Sequence, residues 1–424
     1  MVLESAENLI MDYNKVQETV PRNLPKKVAI WDETMRDGEQ TPGTFLTVDE
    51  KVELSKLLDE IGVKVIVPSY PAVSDSEKSI LKALSRENLI NAKIAATARP
   101  VRTDIDACLD CDVEEIPIFM STSRILLEYS IRKTVEASIE MLVDAVTYAR
   151  DHGVIVDFVA EDATRAYFDE LMKICEAAVS AGADKIALAD TLGIMRPTSM
   201  KYLVAKIRDE LNFRFNKKIP LSVHCHNDFG LATANTLAGV EEGVIYPHTC
   251  VNGYGERGGN ASFEEVVLSL ELLYKVNTGI KLDRIYEVSQ IFERIFGLPL
   301  SAHKPLVGDN SFRHESGIHV YALLRNKQTY EPFPPEIIGR QTEMFLGKKS
   351  GKHVVDYLLK AEGIDVSEEQ LKEIVNEVKK RQEMQSKEIL RARFMDVKEK
   401  IRTLHTGIFK SEFLEIVKKV TEKK

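Results

Sequence analysis

The run LSVHCHNDFGLATANT, residues 221 to 236, sets His224 and His226 one residue apart, followed by Asn227 and Asp228. On a strand, residues i and i+2 share a face, so the two imidazoles project side by side. A lone buried histidine is usually a satisfied core residue; two at period two, where a strand ends, point instead to a metal. Cys225 between them faces the other way and reads as packing. A third ligand should be an oxygen from another part of the chain. The segment WDETMRDGEQTPG offers Asp37, because Asp32 and Glu33 come earlier, within or beside a strand. Two nitrogens with one or two oxygens, and positions left for substrate or water, suit Mn²⁺, Mg²⁺, Co²⁺, Fe²⁺ or Zn²⁺.

Short apolar β-rich runs must position these residues, and they recur along the chain: VAIWDET from Val28, VKVIVPS from Val63, KIAATAR from Lys93, VEEIPIFMS from Val113, IVDFVAED from Ile155, KIALADT from Lys185, PLSVHCH from Pro220 and PHTCVNG from Pro247. Continuous apolar runs of this length fit parallel strands buried on both faces. Helical patterns lie between them. Thr47 to Glu50 and Ser74 to Glu77 have capping-box spacing, and KTVEASIEMLVDAVTYARDHG and SFEEVVLSLELLYK carry apolar residues three and four apart. Repeated strand-then-helix units over roughly 250 residues predict a closed parallel (β/α)8 barrel. The alternative, an open doubly wound sheet, would scatter the polar strand ends. Here Arg36, Asp37, Arg99, Ser121, Glu161, Asp162, Asp190, Thr191, His224, His226 and Asn252 all fall at strand C-termini.

The bulk properties fit an ordinary soluble globular protein. The 424 residues are 44% hydrophobic and 29% charged with a net charge of −9, and no basic patch argues for nucleic acid. No apolar run is long enough for a membrane span, and the N-terminus is too acidic for a secretory signal. The 5 cysteines follow no disulfide spacing, which favours reduced thiols in a cytoplasm. Cys108 and Cys111 form one C-x-x-C with no second pair, and read as plain thiols at a helix end. Gly253 to Gly258 fits G-x-G-x-x-G, but it follows the last strand and lacks an acidic strand end beyond it, so a dinucleotide site is rejected. A tight turn in the mouth, with backbone N–H groups available to a phosphate, fits better.

MRDGEQTPG, VHCHNDFGLATANT, VNGYGERGGNASFEE and HESGIHV, in that order, make the chain from Val28 to Lys352 resemble the 2-isopropylmalate/homocitrate/citramalate synthase family. The resemblance implies a metal-dependent (β/α)8 barrel that condenses acetyl-CoA with a 2-oxo acid, releasing CoA and a 2-hydroxy diacid or triacid. It implies Asp37, His224 and His226 as metal ligands, with Asn260 at the metal in some members and Arg36 beside the ketone. It places Thr191 at the substrate carboxylate, with Gln40 and Glu161 in the same mouth. It ties His319 and Tyr330, on a lid, to acid–base work, and implies a homodimer in which each lid covers the partner's barrel. The expected organisation is an N-terminal extension (1–26), a catalytic barrel (27–296), a linker and lid (297–362) and a helical C-terminal subdomain (363–424).

The sequence also departs from that family. Val67 and Tyr70, in IVPSYP, stand where an acidic and an aromatic residue are common. Leu126 replaces a histidine frequent in isopropylmalate synthases, as in lysine-pathway homocitrate synthases. Val101 and Asp157 stand where such homocitrate synthases carry basic residues for the distal carboxylate; Arg99, Arg124 or Arg165 would have to substitute. The helical C-terminal run is too short and too helical for the leucine-sensing domain of full-length isopropylmalate synthases, which tilts the expectation toward a homocitrate-synthase-like enzyme. A metal-dependent acyl-CoA lyase would want a cysteine in GYGERGGN, which has none. A non-catalytic metabolite binder would have no need of Arg36 beside the metal.

Overall fold

The computed structural model describes residues 9–384, 387–404 and 407–422. The first eight residues of the expected N-terminal extension, on which the signal-peptide reading partly rests, lie outside the described residues. So do residues 385–386, 405–406 and 423–424 of the expected C-terminal subdomain.

Eight strands close into a barrel in sequence order. They are β1 (Trp31–Asp32), β2 (Val65–Ser69), β3 (Lys93–Ala96), β4 (Glu115–Ser121), β5 (Ile155–Glu161), β6 (Lys185–Asp190), β7 (Leu221–Cys225) and β8 (Tyr246–Thr249). Every neighbouring pair is parallel, and the ring closes through β1 and β8, where Trp31 pairs with His248. Each expected apolar run therefore holds one strand, since both faces of a parallel barrel strand are covered.

The connecting helices are α1 (Val48–Ile61), α2 (Asp75–Leu84), α3 (Arg102–Leu109), the single turn α4 (Arg124–Leu126), α5 (Val135–Asp151), α6 (Phe168–Ala181), α7 (Pro197–Phe215), α8 (Ala232–Glu241) and α9 (Phe263–Leu268). Their starts follow local chemistry. Thr47 and Glu50 form a full capping box on α1. Ser74 caps α2, but the reciprocal bond is not formed: Glu77 instead accepts from the Tyr70 amide and the buried Lys51 ammonium. The predicted helix SFEEVVLSLELLYK is α-helical only to Leu268 and continues as a π turn over Ser269–Tyr274, ending at Lys275 in the left-handed conformation.

The chain divides into two compact units, residues 1–41 with 45–281, and residues 42–44 with 282–424. The first is the barrel. The second contains α10 (Ile285–Phe296), so the expected boundary after residue 296 lies inside it. It also holds α11 (Gly317–Leu323), α12 (Lys352–Ala361), α13 (Glu368–Glu383), α14 (Lys387–Leu404), α15 (Lys410–Thr421) and a two-stranded parallel pair, β9 (Arg313–His314) and β10 (Glu343–Met344). Its core gathers Val320, Val354, Val355 and Val375.

Candidate active site: a metal-capable cluster at the C-terminal mouth of the barrel

Asp37 sits at the entry to the 3-10 turn Gly38–Gln40 that follows β1, and His224 lies on the last turn of pleat of β7. His226 follows β7 and forms an isolated bridge with Asn260. The Asp37 Oδ2 lies 3.0 Å from His224 Nε2 and 3.8 Å from His226 Nε2. All three residues are buried, and their donor atoms lie within 4.8 Å of one another. Asp37 Oδ1 and His226 Nδ1 have no protein partner although both are buried. Such atoms cost free energy unless something else satisfies them. Two imidazoles and a carboxylate with an orphaned oxygen fit a divalent cation with open coordination positions.

The electrostatics agree. Burial opposes the charge on Asp37, but the Arg36 guanidinium and His224 outweigh it and hold the carboxyl well below the usual carboxylate range. Burial, with His224 beside it, lowers His226 to about 4. A neutral imidazole is the form that ligates metal. Asn260 is at the site but presents its amide nitrogen, 3.1 Å from Asp37 Oδ2, while the same nitrogen also meets Cys250 Sγ and the Tyr254 carbonyl. Here the amide nitrogen braces the carboxylate, while Asn260 Oδ1 is buried without a protein partner.

A cleft of about 300 Å³ opens over this cluster. Of the expected site residues, Arg36, Asp37, Gln40, Glu161, Thr191, His224 and His226 line it, together with Glu33, Tyr70, Thr97, Pro117, Phe119, Val159, Ala189, His248 and Glu256. The Thr191 hydroxyl accepts from the Asp162 amide at 2.9 Å, so its own proton remains to be donated. Glu161 accepts from the Ser121 hydroxyl, and burial pushes its carboxyl up. The Arg36 Nε lies 2.9 Å from Glu33 Oε2, and a terminal nitrogen 2.7 Å from the same oxygen.

Arg99 does not line the cleft, against the expectation of a substrate-binding role. Its guanidinium grips Asp104 through two nitrogens, at 2.8 and 2.9 Å, and is 58% exposed. Asp104 in turn accepts from the Tyr70 hydroxyl at 2.6 Å, so Arg99 reaches the cleft only by bracing Tyr70. Arg124 is paired with Glu170 and Arg165 with Asp162. Val101 caps α3, and Asp157 is buried in the barrel outside the cleft lining. The cleft also recruits residues that spacing did not single out: Glu33, His248 and Thr97. The period-two step from Trp31 to Glu33 was the available signal for Glu33.

The G-x-G-x-x-G turn serves the site by packing. Asn260 follows Gly259, whose φ is +87° and whose added Cβ would meet the Gly253 carbonyl at 2.2 Å. Gly259 also accepts from the Asn227 amide at 2.8 Å, tying the turn to the histidine segment. All five cysteines are free and buried; Cys108 and Cys111 face backbone carbonyls and hold no site. A second recess, of about 540 Å³, opens at the opposite ends of the strands, but its central Lys185 is already paired with Glu115. His319 and Tyr330 belong to the second unit, where their rings stack with centroids 4.1 Å apart on an exposed surface.

A closed parallel barrel that gathers a carboxylate and two imidazoles at its C-terminal mouth has the frame of a barrel enzyme with a site able to hold a divalent ion. Residues 27–292 match the HMGL-like family model, and residues 306–386 match the homocitrate synthase post-HMGL domain-like model. The chain belongs to the HMGL-like family, in the branch of 2-isopropylmalate, citramalate and homocitrate synthases. It is 44% identical over 383 residues to a 2-isopropylmalate synthase of Methanocaldococcus jannaschii, covering 89% of this chain and 72% of that one. It is 46% identical over 352 residues to an (R)-citramalate synthase of the same organism, covering 83% and 70%. A homocitrate synthase of Methanothermobacter thermautotrophicus is 42% identical over 374 residues, covering 88% and 93%. Among solved structures, a hydroxymethylglutaryl-CoA lyase from Pseudomonas aeruginosa shares the fold at TM-score 0.58 and 22% identity, covering 68% of this chain and 98% of that one.

Proposed function

We propose that this protein condenses acetyl-CoA with a 2-oxo acid and hydrolyses the product thioester, releasing CoA. The carrying observation is the convergence of Asp37, His224 and His226 within one ligand radius, with Arg36 lining the same cleft. A divalent ion held by these three residues supplies Lewis-acid polarisation of the ketone, worth several kcal/mol in transition-state charge stabilisation. The chain's own residues do the rest. Arg36 stands ready to stabilise the oxygen on which negative charge develops. Thr191 donates its free hydroxyl proton to the substrate carboxylate. Glu161, whose carboxyl burial pushes up, stands in the same mouth.

The cleft wall bears on which 2-oxo acid is used. Among the described residues that line it, Arg36 is the only Lys or Arg, and the wall from β2 to β6 presents Tyr70, Thr97, Pro117, Phe119, Val159 and Ala189. A distal carboxylate would be buried there without a cation, which is costly. This wall favours 2-oxo acids with small uncharged side chains, such as pyruvate or 2-oxoisovalerate, over the 2-oxoglutarate of a homocitrate synthase.

The second unit supports a dimer in which the lid's His319 and Tyr330 act on the partner's barrel. The stacked pair is exposed, and Leu390, Phe394 and Val397 leave an apolar stripe bare on α14. Mixing His319→Ala with Asp37→Ala subunits should restore turnover that neither has alone; failure to complement removes the shared-site arrangement.

A thiol-release assay with acetyl-CoA across pyruvate, 2-oxoisovalerate, 2-oxoglutarate and oxaloacetate tests the whole reading. Release should require one 2-oxo acid and should vanish on chelation and return with metal. Full turnover after exhaustive chelation defeats the proposal, and a clear preference for 2-oxoglutarate restores the homocitrate assignment.

A further inference from the structure

We infer that Glu33 is the positioning residue that aims Arg36 into the cleft, with Trp31 and His248 fixing Glu33 from behind. The inference rests on the condensation reading of the cleft and names a part of it that the metal cluster does not explain.

Glu33 is 3% exposed, and both of its oxygens are committed. Oε2 takes the Nε and one terminal nitrogen of Arg36, at 2.9 and 2.7 Å. Oε1 accepts from the indole nitrogen of Trp31 at 2.8 Å and lies 3.6 Å from His248 Nδ1. His248 stacks flat on Trp31, with centroids 4.6 Å apart and planes 8° from parallel. The indole is itself wholly buried in the barrel core with Val65, Val67 and Ala95. The Glu33 backbone carbonyl accepts from the amides of Arg36 and Asp37, at 3.1 and 2.8 Å. One residue thus holds the turn that carries the metal carboxylate and one edge of the guanidinium beside it. An arginine side chain has much rotamer entropy to lose, and a carboxylate that fixes Nε in advance spares the reaction that loss.

A rival reading makes Glu33 a ligand. Glu33, His224 and His248 are themselves close enough to hold an ion, with His224 shared between this group and the Asp37 group. The ion pair argues against it. The Glu33 carboxylate already carries the Arg36 charge on Oε2, so a second cation would meet like charge in a buried site. Arg36 is the resident cation of that deeper group.

Glutamine at this position keeps the shape but has one acceptor oxygen. Its NH₂ must then face either the indole N–H or the guanidinium, both donors. The experiment compares wild type, Glu33→Gln and Glu33→Asp by steady-state kinetics, by Mn²⁺ titration, and by the emission of Trp31, the single tryptophan in the chain. For Glu33→Gln we expect kcat lower by roughly 10–100-fold and KM for the 2-oxo acid within about threefold. Mn²⁺ affinity should fall by no more than the roughly 10–100-fold of an outer-shell change, since the ion's own ligands are untouched. The Trp31 emission should shift, and Glu33→Asp should recover part of kcat. If Glu33→Gln does not fold, Glu33→Asp carries the same comparison. A kcat within twofold of wild type in the folded variants overturns the inference. Mn²⁺ binding weakened well beyond the roughly 10–100-fold of an outer-shell change overturns it too, making Glu33 a ligand. A wild type that releases no CoA with any 2-oxo acid defeats the condensation reading instead. In that case an unchanged Trp31 spectrum in Arg36→Ala shows that the guanidinium and Glu33 are not coupled, and overturns the inference separately.

Discussion

Asp37 joins the two ends of the site: its Oδ2 faces both imidazoles and its backbone is anchored by Glu33. Replacing it with Ala removes the only carboxylate in the cluster and leaves His224 and His226 to hold an ion alone. The loss of Mn²⁺ affinity should exceed the roughly 10–100-fold that outer-shell changes cost, with CoA release falling in step; calorimetric titration of Mn²⁺ checks it. Asn260→Ala should cost less, about tenfold, because the amide nitrogen braces Asp37 from outside the Asp–His–His group. An effect equal to that of Asp37→Ala would make Asn260 a ligand after all. The metal cluster was legible because chemistry-bearing residues at period two announce themselves. Glu33 offered only its period-two step from Trp31 and His248 offered none, because in a strand covered on both faces the apolar pattern does not mark which residues point inward. Arg99 misled for a related reason: a charge at a strand end has the right address, but Asp104 five residues on takes it.

Between elements, the site depends on how closely the end of β6 approaches the end of β7. Gly193, in the turn after β6, has φ +59°, and a Cβ there would meet the His226 carbonyl at 2.6 Å and the Asp228 amide at 2.8 Å. Gly193→Ala carries a left-handed strain of roughly 1–2 kcal/mol and presses on the backbone that carries a ligand. The expected outcome is a folded barrel whose Mn²⁺ affinity falls by about tenfold or more; unchanged affinity would mean that the turn yields instead of the histidine segment. The strands themselves were readable from apolar runs, and the capping box at Thr47 from two residues. The π turn after Leu268 was not readable, because its residues keep the three-and-four spacing of an α-helix and only the bonding pattern changes. At Ser74 the same spacing gave only half a box, because the buried Lys51 competes for Glu77.

Across the whole barrel, charge is buried beneath the cleft, and this sets how stability responds to pH. Lys185 pairs with Glu115 and lies over the rings of Trp31 and Tyr246, at 5.1 and 4.4 Å. Asp157, on β5, is fully buried and neither of its carboxyl oxygens has a protein partner. Burial pushes its pKa well above the ordinary value, with Lys185 only partly opposing. Burial likewise raises Asp32 to about 7, against the hydrogen bonds it accepts from Thr34. A raised carboxyl pKa means that the folded chain binds more protons than the unfolded one. Stability is therefore highest below the unfolded value near 4, falls as pH climbs through the folded value, and stays lower above it. For Asp32 that window runs from about 4 to about 7, and Asp157 adds to the loss in the same direction. Asp157→Asn removes one titration and one uncompensated charge, so its melting temperature should exceed that of wild type at pH 8, by about 2–4 °C for each kcal/mol relieved. At pH 5 the two should differ less, because the stability lost through a raised carboxyl pKa grows as pH rises. Thermal melts of both proteins at the two pH values decide it: an equal gap at pH 5 and pH 8 would show that Asp157 does not change charge between them.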